Sequence, residues 1–109
     1  MSMKRNTTAT PGANDSTDAL DDLADAFVRL TDVDDMRAFL TDLCTPAELE
    51  AMTDRWRVVP ALVGGVSYRQ IHENTGVSVT TVGRVARHLE HGAGGYAAAL
   101  AGRRTGNAG

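Results

Sequence analysis

The chain has 109 residues, a hydrophobic content of 42% and a formal net charge of −3. This length allows one domain at most, which is too small to bury a large core unless the protein dimerises. No segment approaches the roughly 18 apolar residues of a membrane-spanning helix, and a lone cysteine excludes an intrachain disulfide framework. We therefore expect a cytoplasmic protein that has no membrane partner.

The charge is distributed unevenly along the chain. Residues 1–54 carry 12 acidic and 4 basic side chains, whereas residues 55–109 carry 2 acidic and 7 basic ones. Because phosphate is attracted by the local field, the basic C-terminal half is suited to nucleic acid despite the acidic total. The alternative is that the two halves merely present solvated surfaces of opposite sign.

Residues 1–15 are rich in Thr, Asn, Pro and Gly and are predicted to form a disordered arm, without the apolar stretch of a signal peptide. Amphipathic helices are predicted over residues 17–31 and 32–43, where apolar residues recur at three- and four-residue steps. Each helix is too short to close a core alone. Their apolar stripes therefore predict a homodimer.

A third helix is predicted to begin at Thr45-Pro46-Ala47-Glu48, which combines an N-cap, a proline at the first helical position and the acid of a capping box. Its apolar stripe includes Trp56, which at this spacing is predicted to lie in the core. Pro60 removes one internal hydrogen bond and should kink the helix. Gly64-Gly65 should end it.

Residues 67–89 are predicted to form a helix-turn-helix. Ser67 and Ser78 are suited to cap its two helices, and Gly76 lies where the turn requires a left-handed conformation. Four apolar residues are spaced to pack the two helices together: Ile71, Val77, Val82 and Val85.

The second helix of such a motif lies in the major groove of double-stranded DNA, with its N-terminal residues on base edges. Val79 and Thr80 have the size to contact a thymine methyl group, and Arg84 and Arg87 should hold the phosphate backbone. Gly83 should mark either a close approach of the DNA backbone or a less rigid helix. The full predicted DNA-binding set is Tyr68, Arg69, Gln70, His72, Ser78, Val79, Thr80, Thr81, Arg84 and Arg87.

A last helix is predicted over residues 96–102, followed by a flexible tail, residues 103–109. A single helical domain should thus span residues 16–102. His88 and His91 are three residues apart, but no further Cys or carboxylate joins them at metal-ligand spacing. No metal site and no catalytic residue are predicted, so the chain is not expected to be an enzyme.

The run from Thr45 to Met52, followed by Arg55-Trp56-Arg57-Val58, resembles the third helix of the Trp repressor superfamily. Residues 75–85 resemble the segment with which that family contacts DNA. The Arg55-Trp56 pair, Ser67-Tyr68 and Gly94-Gly95-Tyr96 look most like its YerC/YecD branch. The resemblance covers about residues 30–101. It implies an all-α, six-helix Trp-repressor-like fold with a helix-turn-helix, an intertwined homodimer and binding to operator DNA.

In the tryptophan-binding members, two arginines enclose the ligand, and Arg55 and Arg84 match their positions. Thr45 and His88 match two further ligand-contacting positions, so the resemblance implies a possible pocket at these four residues. However, Val85 replaces a glycine and would intrude on the indole slot, and His88 replaces a serine. We therefore predict no cofactor, disfavour tryptophan as corepressor, and leave open another small-molecule effector.

Together these features predict a sequence-specific transcriptional regulator, a repressor that acts as a homodimer on a palindromic operator. The alternative is a helix-turn-helix module that docks on the transcription machinery. Small polar residues and arginines on the outward surface of the second motif helix favour DNA, because a docking surface would more often be apolar.

Overall fold

The structure, a computed structural model, describes the backbone of residues 15–108 and the side chains of residues 18–102. All regular structure in that part of the chain is helical, which confirms the predicted all-α class. The helices are α1 (Asp15–Arg29), α2 (Val33–Leu43), α3 (Pro46–Arg57), α4 (Val59–Val63), α5 (Tyr68–Thr75), α6 (Val79–His91) and α7 (Gly95–Ala108). The predicted disordered arm lies almost wholly outside the described residues.

The chain divides into two compact units, and the boundary falls between Cys44 and Thr45. The N-terminal unit contains α1 and α2, and the C-terminal unit contains α3 to α7. The helical domain predicted over residues 16–102 spans both units. No described helix is long and apolar enough to cross a membrane.

In the N-terminal unit, α1 and α2 contact each other through Phe27 and Phe39, whose ring centroids lie 5.6 Å apart in an edge-to-face arrangement. Asp32 caps α2 by accepting a hydrogen bond from the backbone N–H of Asp35. None of residues 18–44 is buried in the single chain. Two short helices bury too little apolar surface to form a core alone, as the sequence predicted.

The predicted third helix is present as two segments, so the six predicted helices appear as seven in the part of the chain that the structure describes. Its capping box is confirmed, because Thr45 accepts from the N–H of Glu48 and the Glu48 carboxylate accepts from the N–H of Thr45. The break falls at Val58, two residues before Pro60. Since proline has no N–H to continue the ladder, the kink has become a junction between α3 and α4.

The core of the C-terminal unit forms where this junction meets the helix-turn-helix. Its buried members are Val58, Val59, Ile71, Val77, Val82 and Val85. The four residues predicted to pack the motif are all among them. Val58 was not predicted, because consecutive residues of a regular helix point about 100° apart, and only the break turns both Val58 and Val59 inward.

The last helix runs from Gly95 to Ala108, well beyond the predicted end near residue 102. The stretch contains no proline, and each glycine in a helix costs only about 1 kcal/mol relative to alanine. Glycine at positions 102 and 106 therefore weakens α7 without stopping it. The flexibility predicted for residues 103–109 stays a prediction.

Candidate nucleic-acid interface

The turn between α5 and α6 is held by hydrogen bonds from residues on both sides of it. Gly76 adopts a left-handed conformation, with φ at 82°, and its N–H donates to the carbonyl oxygen of His72. The Thr75 hydroxyl donates to the Ile71 carbonyl and accepts from the N–H of Val77. The left-handed glycine was predicted, but the part played by Thr75 was not. This network fixes the angle at which α6 leaves the turn.

His72 belongs to the same network. Its Nδ1 lies 2.8 Å from the carbonyl oxygen of Val77. Because a carbonyl oxygen can only accept, Nδ1 must carry the hydrogen, and Nε2 is the ring nitrogen without a bond in the turn. In the DNA contact predicted for His72, Nε2 is therefore the ring nitrogen available to DNA.

The start of α6 is capped by Ser78, as predicted. Its hydroxyl oxygen accepts from the N–H of Thr81 and its hydrogen is directed at the Thr81 hydroxyl, 3.0 Å away. Both side chains were predicted to contact DNA. The structure joins them in the cap, where Ser78 is exposed and Thr81 is half-buried.

Gln70 also has an internal partner, because its side-chain amide donates to the Asn74 side chain one turn further along α5. An i, i+4 pair of this kind lies along the surface of a helix and stabilises it modestly. A base or phosphate would have to compete with this bond.

The remaining predicted DNA contacts lie on the outside of the motif. These exposed residues are Tyr68 and Arg69 on α5, and Val79, Thr80, Arg84 and Arg87 on α6. Val79 is 47% exposed although it is apolar. An exposed Val-Thr pair in the first turn of α6 fits a thymine methyl group in the major groove.

The arginines of the motif differ from most of those described before it. Arg29, Arg37 and Arg57 each pair with an aspartate three or four residues earlier. Arg69, Arg84 and Arg87 pair with no carboxylate among residues 18–102. Three uncompensated cations on one small motif are available to phosphate, which is the attraction that dominates affinity for DNA.

Gly83 lies in the middle of α6 against the ring of Tyr68. A Cβ atom built on Gly83 would be 3.7 Å from Cε2 of Tyr68, an ordinary van der Waals distance. The sequence suggested a close approach of DNA at this glycine, and the neighbour that the structure places there is the tyrosine. An alanine side chain at this position would therefore contact the Tyr68 ring without displacing it.

One of the four residues of the implied ligand pocket lines a cavity in the structure. The structure contains a cavity of about 410 Å³ next to the end of α6, and only His88 of the four lines it. The Thr45 hydroxyl is used in the capping box, and Arg55 is half-buried. The cavity is otherwise lined by Trp56, Gly92, Ala93, Gly95, Tyr96 and Ala99.

The prediction that Trp56 lies in the core is wrong for the single chain. Its side chain is 39% exposed and stacks on Tyr96, with ring centroids 6.4 Å apart and planes inclined by 15°. The α3 stripe ends at the Val58 junction, so the core begins at Val58, two residues after Trp56. Sequence periodicity alone gives no signal for this shift.

No group of three or more potential ligands that could hold a metal ion occurs among the described residues. His91 lies 3.6 Å from its neighbour Glu90, and both side chains are exposed. The candidate interface is thus a surface that combines exposed arginines and the small polar residue Thr80 with one exposed apolar residue, Val79.

Comparison with known proteins agrees with this arrangement. The family model described as Trp repressor protein, a family of DNA-binding regulators, matches residues 18–104. The protein YerC of Bacillus subtilis (strain 168), which is itself uncharacterized, is 36% identical over 81 residues, covering 74% of this chain and 78% of YerC. The chain therefore belongs to the Trp repressor family and is a YerC-type member of it.

Proposed function

We propose that the protein is a sequence-specific transcriptional repressor that binds a palindromic operator in double-stranded DNA as a homodimer. In this proposal α6 is the recognition helix and enters the major groove. Arg69, Arg84 and Arg87 contact the backbone, and Val79 and Thr80 contact base edges. Repression follows if the occupied operator overlaps a promoter.

The observation that carries the proposal is that some polar side chains of the motif have internal hydrogen-bond partners and others have none. Ser78, Thr81 and His72 are used to build the cap and the turn. The side chains without internal partners, Thr80 and the arginines, lie exposed beside them. A rigid helix start that displays uncompensated cations and a small Val-Thr surface is what readout of phosphate and base edges requires.

The homodimer is supported by the unburied apolar residues of the N-terminal unit. Leu20 is 66% exposed and Val33 is 72% exposed in the single chain. A second copy would cover such residues, and a two-fold axis would place two recognition helices on half-sites about 34 Å apart. A cytoplasmic location follows from this function.

The alternative, a module that docks on the transcription machinery, is less well supported. A docking surface is enriched in aromatic residues at its core and depleted in charge. The outward surface of α6 has instead Thr80, Arg84 and Arg87, with Val79 as its one exposed apolar residue. The same surface is thus better suited to DNA than to protein.

The decisive experiment is enrichment of fragmented genomic DNA by the purified full chain at near-physiological salt, followed by sequencing. The matched control is the variant Arg84→Ala/Arg87→Ala, which should keep the fold because both side chains are exposed and unpaired. We expect the wild type to recover a few fragments that share an inverted repeat, and the double variant to lose them.

Uniform recovery that disappears with added salt would contradict sequence-specific binding and leave only a phosphate-binding surface. No recovery by either protein would favour the docking module instead. In that case, binding to the cell's RNA polymerase and its sigma subunits would be measured next.

A further inference from the structure

The turn of the helix-turn-helix determines which nitrogen of His72 carries a hydrogen. The Nδ1–H donates to the carbonyl oxygen of Val77, and the N–H of Gly76 donates to the carbonyl oxygen of His72 itself. The residue is nonetheless exposed. Nδ1 is thus used by the turn, and Nε2 is the ring nitrogen that has no partner among residues 18–102.

The hydrogen on Nδ1 limits what Nε2 can bind. A neutral imidazole carries a hydrogen on only one of its two nitrogens, so the Nε2 of neutral His72 is an acceptor. The oxygens of a DNA phosphate are acceptors as well. Neutral His72 therefore cannot form a hydrogen bond to the DNA backbone. Protonation places a hydrogen on Nε2 and converts it into a charged donor, which binds phosphate strongly.

Protonation at Nε2 does not require the turn to change. Nδ1 is a donor in both the neutral and the charged ring, so its bond to Val77 persists in both states. The proton thus alters the exposed part of the ring while the bonds that orient α6 stay in place. Histidine is also the side chain whose charge ordinarily changes between about pH 5 and pH 8.

The charged neighbours of His72 on α5 are Arg69 and Glu73. Arg69 lies three residues earlier, and residues three apart are neighbours on the surface of a helix. Glu73 is adjacent in sequence, but consecutive residues of a helix do not face each other. No ion pair joins Glu73 to His72 in the described chain. A phosphate at Nε2 would therefore meet Arg69 as a second cation.

The elements that pack against α5 add no carboxylate near His72. α4, which shares the core with α5, has no charged residue. The first turn of α6 has none either, and the charged or titratable residues of α6 are Arg84, Arg87, His88, Glu90 and His91. Glu90 is the only carboxylate of α6 and lies 11 residues after Val79, which is about 16 Å along the helix axis.

We propose that DNA binding by this protein is linked to a proton at Nε2 of His72, which donates to a DNA phosphate only when the ring is protonated. This inference rests on the proposed function and deepens it, since it concerns the same surface. Acidification strengthens binding through one defined atom. Because the contact is to the backbone, it raises affinity for all sequences alike.

The effect is measured by fluorescence anisotropy with the full chain and a mixed-sequence DNA duplex, over a range of salt concentrations. The two conditions are about pH 8 and about pH 6, between which exposed carboxylates stay ionised and histidine gains its charge. For each His72 that contacts DNA, we expect about tenfold higher affinity at the lower pH. The slope of log affinity against log salt should also become steeper by about one.

His72→Asn separates the two functions of the ring. The amide nitrogen of asparagine is as many bonds from the backbone as Nδ1, so it can still donate to Val77, but no group replaces Nε2. His91→Asn is the matched control, because it removes the same ring from an exposed position about 18 Å from the start of α6. We expect the pH dependence to be lost in His72→Asn and kept in His91→Asn, with equal melting temperatures.

Nitrogen NMR of the histidine side chains tests the arrangement in the free protein. We expect Nδ1 of His72 to carry its hydrogen at both pH values and Nε2 to gain one on acidification. A neutral ring that carries its hydrogen on Nε2 would overturn the inference, whatever the protein does with DNA.

The binding data distinguish failure of this inference from failure of the proposed function. Equal affinities at the two pH values, or a pH dependence that His72→Asn retains, would overturn the inference and leave the repressor function intact. Affinity that falls on acidification would also overturn it, because Nε2 would then accept from a base amino group. Absence of DNA binding at both pH values would contradict the proposed function and the inference together.

Discussion

Two glycines of the helix-turn-helix differ in how strictly the structure requires glycine. Gly76 has φ at 82°, and a Cβ there would meet nothing within 4 Å, so its requirement is conformational rather than spatial. Gly83 has an ordinary helical backbone, and a Cβ there would lie 3.7 Å from the Tyr68 ring, an ordinary van der Waals distance. The backbone therefore requires glycine at position 76 but not at position 83.

This difference predicts opposite effects of alanine on stability. Gly76→Ala should lower the free energy of unfolding by about 1–2 kcal/mol, because a side chain is strained in the left-handed region. Gly83→Ala should raise it by about 1 kcal/mol, because alanine favours the helix and its Cβ fits at an ordinary distance from Tyr68. Urea denaturation of both variants measures the two shifts. Destabilisation by Gly83→Ala would show that Tyr68 cannot accept even a methyl group.

A second prediction at the residue scale concerns Thr80. Thr80→Ala removes an exposed hydroxyl and methyl group at the start of α6 without touching the Ser78–Thr81 cap. The variant should lose preference at one base position of the operator, at a cost of about 1–3 kcal/mol. Competition between single-base operator variants measures this loss. An unchanged site preference would rule out the proposed docking of α6.

At the scale of elements, the recognition helix combines a capped start with an arginine-bearing outer surface. Arg87 is exposed and unpaired, whereas Arg37 on α2 pairs with Asp34 at 3.0 Å. Removing either arginine changes the net charge equally. Only Arg87, however, lies on the helix proposed to contact phosphate.

We therefore expect Arg87→Ala to weaken binding to all DNA sequences alike and to reduce the slope of log affinity against log salt by about one. Arg37→Ala should leave that slope unchanged. Fluorescence anisotropy over a range of salt concentrations provides both slopes. Equal changes in the two variants would mean that net charge, rather than a contact by α6, determines the affinity.

The capping box of α3 is a second element whose contribution is measurable. Thr45→Ala removes the hydroxyl that accepts from the N–H of Glu48 and should cost about 0.5–2 kcal/mol of stability. Thr53→Ala is a suitable control, since its hydroxyl only bonds back to the Glu50 carbonyl within the helix. Thermal unfolding compares the stabilities of the two variants. A larger loss of stability in Thr53→Ala would contradict the stabilising role assigned to the Thr45 cap.

At the scale of the whole molecule, the two units differ in how they are stabilised. The C-terminal unit has a buried core around Ile71 and Val82, but no residue from 18 to 44 is buried in the single chain. Exposed apolar side chains such as Leu20 are costly in water unless a partner covers them. The N-terminal unit is thus the part of the chain that most needs the proposed second copy.

Leu20→Asp should therefore shift the protein from dimer to monomer. Leu20 is exposed in the single chain, so an aspartate there buries no charge within the protomer and the helix should persist. Thr31→Asp adds the same charge in the loop after α1 and should leave the dimer intact. Sedimentation equilibrium distinguishes the two results. A wild-type monomer would contradict the dimer outright, and a dimer in both variants would place the interface elsewhere.

Much of the fold depends on interactions within a few residues of sequence, and these were predictable. Such local interactions form the helix caps at Thr45, Ser67 and Ser78. They also form the left-handed turn at Gly76. The composition of the outer surface of α6 was predictable too, because it follows from helical periodicity. Which polar side chains of the motif bond internally was not predictable. Ser78, Thr81 and His72 are polar enough to bond either within the motif or to DNA.

The sequence by itself determined the all-helical class and the position of the helix-turn-helix, because local hydrogen bonds and apolar spacing encode them. Its family was indicated by the resemblance of its motifs. Only the tertiary structure decided that Val58 is buried, that Trp56 stacks on Tyr96 and that a cavity opens beside them. These features join residues that are distant along the chain. They also depend on the helix break at Val58, because no local sequence pattern specifies the angle between α3 and α4.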